Sequence, residues 1–406
     1  MSNPRVAVIG GGAAGFFAAL SAKHHHPACE VVLFEKSNKV LSKVKVSGGG
    51  RCNVTHAAFQ PKELLSNYPR GQQFLKKAFK EFTTSDTVEW FASKGLALKT
   101  EEDGRMFPTS NSSQSVIDVF IQSIESNDIT LRISTPVNSL GWEEDGQVWS
   151  LRSSLGTERF HKVIIATGGS PKSEGFDWIR SLGHSIVPPV PSLFTFNLQD
   201  PSICALSGVS VPSVRLKIRG TSFESSGPML ITHWGFSGPA VLRTSAFAAR
   251  HLADRNYAFS VQVNWMAGQN EEAWRSTDSW KEALSSKKKV SNQNPTSLPA
   301  RLWHWLLLAN DIDGSKRWLD LSKKDLNRIV NALTNDDYKV AGKTTFKEEF
   351  VTSGGVDLSE IEPLTSKSRV VPELYFAGEV MDIDGVTGGF NFQAAWTTAW
   401  IAGQLK

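Results

Sequence analysis

The sequence predicts an α/β protein whose parallel sheet is built from both ends of the chain and is interrupted by a β-rich insertion with helices. Short apolar strands are followed by glycine-rich turns near the N-terminus, near residue 165 and again near residue 377. Between the second and the third of these strands, the chain changes to short strands and then to a tryptophan-rich helical stretch. With 406 residues the chain is too long for one small core, so we expect two or three domains.

The first element is a strand over Arg5–Ile9, which leads into Gly10-x-Gly12-x-x-Gly15 and a helix from Ala13 to Lys23. Its β-branched and apolar residues are typical of a buried parallel strand. Gly10 would permit the tight turn, Gly12 would let the backbone approach a pyrophosphate, and Gly15 would let helix and strand pack closely. The phosphates would lie at the helix N-terminus, which favours negative charge.

The second strand, Glu30–Glu35, ends in an acid 20 residues after Gly15. An acid at this position accepts hydrogen bonds from ribose hydroxyls and disfavours a 2′-phosphate. The alternative is a turn rich in glycine and alanine that binds no nucleotide. The combination of strand, glycines, helix and acid predicts a dinucleotide site of the Rossmann type.

The segment Ser47–Asn53 contains three adjacent glycines between a serine and Arg51-Cys52-Asn53. A flexible linker is one interpretation, but the flanking residues favour backbone that lies close to a bound cofactor. Arg51 would neutralise the pyrophosphate, because a guanidinium group suits phosphate oxygens. We interpret Cys52 as a small packing residue, with a thiol that acts on the cofactor as the alternative.

The middle of the first domain is predicted as helices, a hairpin and a strand meander that returns to the sheet. Alternation predicts three antiparallel strands before a buried strand that ends in Ala166-Thr167-Gly168. Flavin-dependent folds place such a strand beside the first one. The predicted elements are helices within Pro61–Gly95, a hairpin over Leu96–Phe107, a helix over Ser115–Ser126, strands over Ile129–Val137, Gly141–Arg152 and Thr157–Phe160, and the buried strand Val163–Ala166.

The insertion begins after a proline-rich stretch, Val187–Pro191, which predicts a stiff connector. Short strands follow, with one strand–turn–helix in which Ser237 suits a helix cap and Pro239 suits the first helical turn. His233 follows a strand of this insertion and is our candidate for a proton-transferring group, with a histidine satisfied at its strand end as the alternative. The expected domains are 1–190 with 350–406, 191–268 with 338–349, and a helical subdomain over 269–337.

The last segment returns to the nucleotide domain with a strand that ends in Gly378-Glu379. Glu379 would bind ribityl hydroxyls, and the turn Gly388-Gly389 would place a helix N-terminus at an isoalloxazine ring, where a reduced flavin develops negative charge. An ordinary C-terminal helix that docks on the sheet is the alternative. The segment Thr352–Gly355, at the return into this domain, would line the same cleft.

Bulk properties exclude several classes of protein. The formal charge of +4 gives no case for nucleic acid or an anionic membrane. The cysteines are too few and too scattered for a disulfide framework, a zinc site or a redox-active pair. No apolar run has the length of a membrane span, and the glycine-broken N-terminal stretch is interpreted as mature fold. We therefore expect a cytoplasmic protein without a metal.

These motifs together resemble the BaiN/YhiN-like flavoproteins, also called aminoacetone oxidase family FAD-binding enzymes. The matching stretches are Val8–Gly15, Ser47–Val54, Ala166–Gly169, Thr232–His233, Gly235–Pro239, Thr352–Val356, Phe376–Glu379 and Gly388–Asn391. The resemblance implies a discontinuous Rossmann-type FAD-binding domain, interrupted by a β-rich domain with a helical insert, and tight non-covalent FAD. Members of the family are labelled as reductases of unsaturated steroid-like ketones or as amine oxidases, so family membership carries little about the substrate.

The positions that we expect to hold the cofactor come from every motif along the chain. They are Gly10, Gly12, Ala13, Ala14, Gly15, Glu35, Lys36, Lys43, Ser47, Gly48, Gly49, Arg51, Cys52, Asn53, Val137, Ala166, Thr167, Gly168, Gly378, Glu379, Asp382, Gly388, Gly389, Phe390 and Asn391.

The sequence therefore predicts an FAD-dependent oxidoreductase that passes a hydride between a donor and a small organic substrate. The chain has no second glycine motif of this kind, so NAD(P)H, if it is the donor, would bind transiently at the flavin face. Three alternatives stay open: a flavin-dependent RNA-modifying enzyme, which the balanced charge disfavours, a non-catalytic FAD-binding regulator, and an NAD-only dehydrogenase. We expect neither a nucleic-acid partner nor a membrane, and the oligomeric state is left open.

Overall fold

The computed structural model describes residues 3–344 and 351–406. The chain divides into two compact units, Met1–Ser192 with Phe346–Lys406, and Leu193–Thr345. The expected return to the first domain at residue 350 lies outside the described residues. The domain boundaries from the sequence stay predictions.

The strands are β1 (Arg5–Ile9), β2 (Glu30–Phe34), β3 (Thr55–His56), β4 (Leu98–Thr100), β5 (Arg105–Pro108), β6 (Thr130–Arg132), β7 (Val137–Glu143), β8 (Val148–Ser153), β9 (Gly156–Phe160), β10 (Lys162–Ile165), β11 (Ile186–Pro191), β12 (Thr195–Leu198), β13 (Ser210–Ile218), β14 (Glu224–Ile231), β15 (Gly235–Ser237), β16 (Ala258–Asn264), β17 (Asp336–Thr344), β18 (Thr352–Val356) and β19 (Leu374–Phe376). The helices are α1 (Ala13–His25), α2 (Ser42–Gly50), α3 (Pro61–Leu65), α4 (Gln72–Ala78), α5 (Thr84–Ser93), α6 (Ser113–Ser126), α7 (Asp177–Arg180), α8 (Pro239–Ala253), α9 (Glu271–Arg275), α10 (Asp278–Leu284), α11 (Ala300–Ala309), α12 (Lys323–Thr334) and α13 (Phe390–Gly403).

The first unit is built on a five-stranded parallel sheet in the order β19-β10-β1-β2-β6. The last strand of the chain lies beside β10, and β10 lies beside β1, as the sequence predicts. Helices α1 and α13 pack closely, because the carbonyl oxygen of Trp400 accepts a hydrogen bond from Ser21 at 2.7 Å and a Cβ atom at Gly403 would come within 2.4 Å of the Ser21 side chain. The predicted α/β fold with a Rossmann-type sheet is confirmed.

Two of the three predictions of antiparallel strands, Ile129–Val137 and Gly141–Arg152, are wrong. Strand β6 ends at Arg132 and pairs parallel with β2, so it completes the main sheet. The predicted strand Gly141–Arg152 is divided by a turn over residues 144–147 into β7 and β8, which pair with each other and with β9. Alternation along a single strand does not reveal which neighbour it will pair with, and polar residues with a glycine favour a turn at 144–147.

The predicted connector Val187–Pro191 is instead a paired strand, β11, which runs antiparallel to β18. The register shifts between Val187 and Val190, where the two prolines stand. A proline has no N–H to donate, so it is tolerated in a sheet at such an irregularity. Within the first unit, this strand pair fixes the position of the segment Thr352–Val356.

The second unit is a closed barrel in the order β12-β15-β14-β13-β16-β17, with α9 to α12 packed into the same hydrophobic core. Four of the tryptophans in the helical stretch are buried in this core, and Trp305 is only partly buried. The residue that precedes α8 is Gly238, with φ of 98°, so Ser237 does not cap this helix, while Pro239 occupies its first turn as predicted. Ser237 belongs to β15 and pairs with Leu230.

Candidate cofactor site

The three glycines of the first turn meet the steric demands that the sequence predicts. A Cβ atom at Gly10, where φ is 117°, would lie 2.4 Å from the carbonyl oxygen of Ala166, and one at Gly15 would lie 1.8 Å from that of Gly10. At Gly12 a Cβ atom would meet nothing within 4 Å. Gly12 is the N-cap of α1 and offers no capping side chain, so the helix N-terminus opens onto free space that suits a phosphate.

The carboxyl ends of three neighbouring strands meet at this turn. Gly10 follows β1 and touches the residues that follow β10, Ala166 and Thr167. Gly378 follows β19 with φ of 76°, and a Cβ atom there would lie 2.7 Å from Ala14 in the first turn of α1. A crevice at the carboxyl ends of parallel strands is where nucleotides bind in folds of this class.

Glu35 follows β2 beside the glycine turn. Its carboxylate accepts hydrogen bonds from the N–H groups of Gly11 and Ser37, both at 2.8 Å. The neighbouring backbone is held too, because the N–H of Thr135 donates to the carbonyl oxygen of Glu35 at 2.8 Å. Val137 begins β7 two residues later, and Lys36 is exposed. These contacts place Glu35 beside the turn, and its bond to a ribose stays a prediction.

A second open cradle lies at the end of α2, an element that the sequence did not reveal. Ser47 leaves the helical conformation, and Gly48, Gly49 and Gly50 follow with φ of 58°, 68° and 84°. A Cβ atom at Gly49 or Gly50 would meet nothing within 4 Å. Consecutive residues of this kind turn backbone N–H groups toward one concavity, which suits an anion.

Arg51 is held beside this cradle by protein groups. Its guanidinium group donates to Glu101 at 2.6 Å and lies 3.9 Å from the centre of the Phe107 ring. Glu101 also forms an ion pair with Arg105 at 3.2 Å. The charge of Arg51 is thus partly balanced already, and its contact with a pyrophosphate stays a prediction.

Cys52 is fully buried and adopts a left-handed φ of 61°. Burial raises the pKa of its thiol to about 12, so the sulfur stays protonated at neutral pH. A protonated, enclosed thiol is a poor nucleophile. The geometry therefore favours the packing role over a thiol that acts on the cofactor.

Two carboxylates of the C-terminal segment hold neighbouring elements at the same crevice. Glu379 accepts from the N–H of Thr352 at 2.9 Å and pairs with Lys43 at 2.7 Å. Asp382 accepts from the N–H of Gly354 at 2.9 Å. A Cβ atom at Gly169, after β10, would come within 3.0 Å of both Thr352 and Glu379. The segments that follow β10 and β19 therefore meet at β18.

The turn before α13 is as tightly constrained as the first one. Gly389, with φ of 95°, is the N-cap of α13, and a Cβ atom there would lie 2.5 Å from the carbonyl oxygen of Thr55. Asn391 clamps the loop, because it accepts from the N–H of Gly385 at 2.8 Å and donates to the carbonyl oxygen of the same residue at 2.9 Å. Its side chain serves the loop, and its cofactor contact stays a prediction, as do those of Gly388 and Phe390.

Sequence reasoning missed His56, which stacks on Phe390 with ring centres 4.6 Å apart. Its Nε2 lies 3.1 Å from the carbonyl oxygen of Asp103, so in the neutral ring the hydrogen belongs on Nε2 and Nδ1 is an acceptor. Burial lowers the pKa of His56, which favours that neutral ring. The signal in the sequence is its place three residues after Asn53, directly behind the glycine cradle.

Within residues 3–344 and 351–406, four of the nine buried polar side-chain atoms without a hydrogen-bond partner lie next to these turns. They are Asn53 Oδ1, His56 Nδ1, Thr352 Oγ1 and Ser353 Oγ. Buried polar groups are nearly always hydrogen-bonded in folded proteins, so these atoms point to a polar molecule that belongs among them. Orphaned polar atoms and glycine cradles that a side chain would fill both fit a bound dinucleotide.

His233 lies in the second unit, exposed on the turn between β14 and β15. Its neighbour Trp234 is fixed by a hydrogen bond to Thr195 at 3.1 Å. A catalytic role for His233 stays a prediction.

Across residues 3–344 and 351–406, His, Cys, Asp and Glu side chains form no group of three or more that could hold a metal ion. Nor does any helix in those ranges combine the length and the apolar character that crossing a membrane requires.

Comparison with known proteins assigns the whole chain to one family. The HI0933-like protein Rossmann domain matches residues 4–405. The ribosomal RNA dihydrouridine synthase of Escherichia coli (strain K12) is 32% identical over 409 residues, 98% of this chain and 96% of that protein. The 3-dehydro-bile acid delta(4,6)-reductase of Clostridium scindens is 26% identical over 415 residues, 98% of each protein. A 3-ketosteroid delta1-dehydrogenase from Sterolibacterium denitrificans has a similar fold, with a TM-score of 0.51 and 12% identity over 100% of this chain and 99% of that chain.

Proposed function

The chain belongs to the HI0933-like Rossmann-domain family, a family of FAD-dependent oxidoreductases, and we propose that it reduces a carbon–carbon double bond conjugated with a carbonyl group. The observation that carries the proposal is the similarity, over nearly the whole chain, to two relatives whose names share this chemistry. Formation of dihydrouridine saturates the C5–C6 bond of uracil, which is conjugated with the C4 carbonyl. A 3-oxo bile acid with 4,6 double bonds presents the same conjugated system.

As substrate we propose a uridine in ribosomal RNA. The relative with that activity in its name is the more similar of the two, at 32% identity against 26%. This choice sets aside the expectation of a small substrate and no nucleic-acid partner, which depended on the net charge of the whole chain. An unsaturated 3-oxo steroid is the second candidate, favoured by the bile acid reductase.

Residues of the crevice fit the groups that a bound FAD would present. The N-terminus of α1 at Gly12 and the cradle at Gly49 would bind the pyrophosphate, and Glu35 would bind the adenosine ribose. Glu379 would bind the ribityl hydroxyls in place of its ion pair with Lys43. When bound, FAD supplies the ring that accepts and donates the hydride.

The residues around the expected ring position would orient it and set its electrostatics. The N-terminus of α13 at Gly389 has no capping side chain, so its N–H groups favour negative charge on the reduced ring. His56 Nδ1 offers a buried acceptor next to Phe390, which suits an N–H donor such as the one on the flavin pyrimidine. These groups would orient and polarise the ring.

The electron donor is proposed to be NADH or NADPH, bound transiently at the flavin face. Anaerobic addition of each nucleotide to the FAD-loaded protein should bleach the flavin absorbance. Bleaching by neither nucleotide would exclude both as donors and would favour an organic donor.

The substrate is tested in cells of the source organism that lack the gene. Mass spectrometry of their purified ribosomal RNA should show the loss of dihydrouridine at a defined position, and a plasmid copy of the gene should restore it. Unchanged dihydrouridine in the deletion strain, together with reduction of a 3-oxo-4,6-diene steroid by the purified enzyme, would replace the RNA proposal with the second candidate.

A further inference from the structure

Three segments of the second unit bring an exposed cluster of basic side chains together. The segments are 286–291, 313–317 and 320–325. Their basic residues, which we call the lysine patch, are exposed and are Lys287, Lys288, Lys289, Lys316, Arg317, Lys323 and Lys324. In the sequence only the run 287–289 stands out, and by itself this run indicates no more than a solvated loop.

Backbone hydrogen bonds hold the first two segments side by side. The N–H of Val290 donates to the carbonyl oxygen of Lys316 at 2.9 Å, and the N–H of Trp318 donates to that of Lys288 at 3.1 Å. Lys289 and Arg317 face each other in an isolated antiparallel bridge. Basic side chains from two separate stretches of chain therefore share one surface.

The third segment joins them at the start of α12. The side chain of Lys316 reaches the carboxylate of Asp325, in the first turn of this helix, at 3.7 Å. Lys323 and Lys324 are the first two residues of α12. The buried side chains of Trp303 and Trp318 lie beneath the patch, and Trp318 Nε1 donates to the carbonyl oxygen of Gln293 at 3.1 Å, so the surface is built on a rigid core.

The three carboxylates in these segments are already engaged locally. Asp313 accepts from the Ser315 hydroxyl at 2.6 Å, Asp320 pairs with Arg317 at 2.6 Å, and Asp325 caps α12 through Ser322. Hydrogen bonds from Ser315 lower the pKa of Asp313, and the nearby Lys316 and Lys289 lower it further. These local contacts occupy the three carboxylates and leave most of the basic groups facing water.

The net charge of this surface is as large as that of the whole chain. Seven basic residues and three carboxylates give the three segments a net charge of +4, which is the formal charge of the whole chain. All other residues together sum to zero. The balanced total charge therefore conceals one strongly basic surface, and it no longer argues against a polyanionic partner.

We propose that the lysine patch binds the phosphate backbone of RNA. This inference rests on the proposed function, in which the substrate is a base within a long RNA. Lysine side chains bind phosphates as mobile point charges and contact the backbone without reading its sequence. The patch would thus supply affinity and hold the RNA, while the flavin site selects the base.

The test compares two triple variants that lose the same charge. Lys287→Gln, Lys288→Gln and Lys289→Gln are combined in one protein. The control combines Lys76→Gln, Lys77→Gln and Lys80→Gln, which are exposed and lie on α4 of the first unit or directly after it. Binding of labelled fragments of deproteinised ribosomal RNA is measured by fluorescence anisotropy over a series of salt concentrations, with FAD-loaded proteins.

The patch variant should bind RNA about tenfold more weakly at 0.1 M salt. The magnitude of its slope of log affinity against log salt concentration should decrease by about 2, because each phosphate contact contributes roughly 0.7 to 0.9 to that slope. The control should bind like the wild type. Bleaching of the flavin by the nucleotide donor should be unchanged in all three proteins, which shows intact folding.

Equal affinity and equal salt slope in the two variants would overturn the inference, even if the wild type forms dihydrouridine. The inference would also be overturned if the patch variant lost binding to phosphatidylglycerol vesicles while its RNA binding stayed unchanged. That result would assign the patch to a membrane surface. If the patch variant alone loses RNA affinity while the wild type leaves every uridine unreduced, the lysine patch stands and the proposed substrate does not.

Discussion

Gly12 and Gly15 belong to the same turn, yet a methyl group would meet different surroundings at the two positions. At Gly15 a Cβ atom would lie 1.8 Å from a backbone oxygen, while at Gly12 it would project into open space. We therefore expect the cofactor to require Gly12, whereas the fold itself requires Gly15. A stability measurement and a binding measurement separate these two demands.

Gly12→Ala should leave the melting temperature of the FAD-free protein unchanged within about 2 °C and should weaken FAD binding about tenfold, or ~1.4 kcal/mol. Its φ of −93° is compatible with alanine, so only the space for the phosphate is lost. Isothermal titration with FAD provides the measurement. Gly15→Ala is the matched control and should unfold at a markedly lower temperature. Unchanged FAD affinity in Gly12→Ala would place the pyrophosphate elsewhere.

His56 should make the stability of the protein fall as the pH decreases. Burial lowers its pKa in the folded state below the usual 6.5, so the unfolded chain takes up a proton first. The contribution of the neutral His56 to the free energy of unfolding is therefore fully present above about pH 6.5, and it decreases as the pH falls below that value. His25 and His184, whose pKa values are also lowered by burial, act in the same direction.

The measurement is the melting temperature at pH 7.5 and at pH 5.5. His56→Gln should show a smaller decrease than the wild type, while His304→Gln, at an exposed position on α11, should show the wild-type decrease. Equal decreases in melting temperature in all three proteins would show that His56 does not contribute to the pH dependence of stability.

At the scale of elements, one buried ion pair joins three segments of the first unit. Asp384 is fully buried and pairs with Arg70, and Ser192 donates to the same carboxylate and accepts from Arg70 at 3.0 Å. The pair connects the loop before α4, the residue that follows β11 and the loop before α13. It thereby fixes the glycine turn at Gly389 relative to β18.

Asp384→Ala should lower the free energy of unfolding by about 3 kcal/mol, because it leaves the Arg70 charge buried without its partner. The measurement is chemical denaturation of the FAD-free protein. Glu30→Gln is the control, since it removes an exposed pair with Arg5 at 2.9 Å and should cost less than about 1 kcal/mol. Equal decreases in the free energy of unfolding would show that the buried pair stabilises the protein no more than the exposed pair does.

Elements that carry their own local signal could be predicted from the sequence. Strands β1, β2, β10 and β19 are short apolar runs with a glycine or an acid within three residues of their ends, and all four lie where they were expected. Helix α2 could not be predicted, because its β-branched residues and terminal glycines have low helix propensity and its conformation depends on packing. The pairing of β11 with β18 joins residues more than 160 positions apart, and no local pattern reports such a contact.

The same distinction applies to the candidate site. Glycine positions were predictable because each answers a steric demand that is visible in the motif. The contacts of Glu379 with Lys43 and Thr352, and the orphaned Nδ1 of His56, arise only when distant segments meet. A single sequence contains the residue types but not these approaches.

At the scale of the whole molecule, the fold provides a dinucleotide crevice in one unit and a basic surface in the other. The first follows from the parallel sheet and its glycine turns, and the second from three segments around α12. Net charge alone disfavoured RNA, because it averages over both units. The distribution of charge changes that conclusion.

We propose that reduced FAD on this protein passes its hydride to a uridine of ribosomal RNA. The most direct measurement is an anaerobic stopped-flow experiment, in which the FAD-loaded protein is first reduced and then mixed with ribosomal RNA from a strain that lacks the gene. We expect the flavin absorbance to return and one equivalent of dihydrouridine to appear in the RNA. Flavin that stays reduced with this RNA, but is reoxidised by a 3-oxo-4,6-diene steroid, would contradict it.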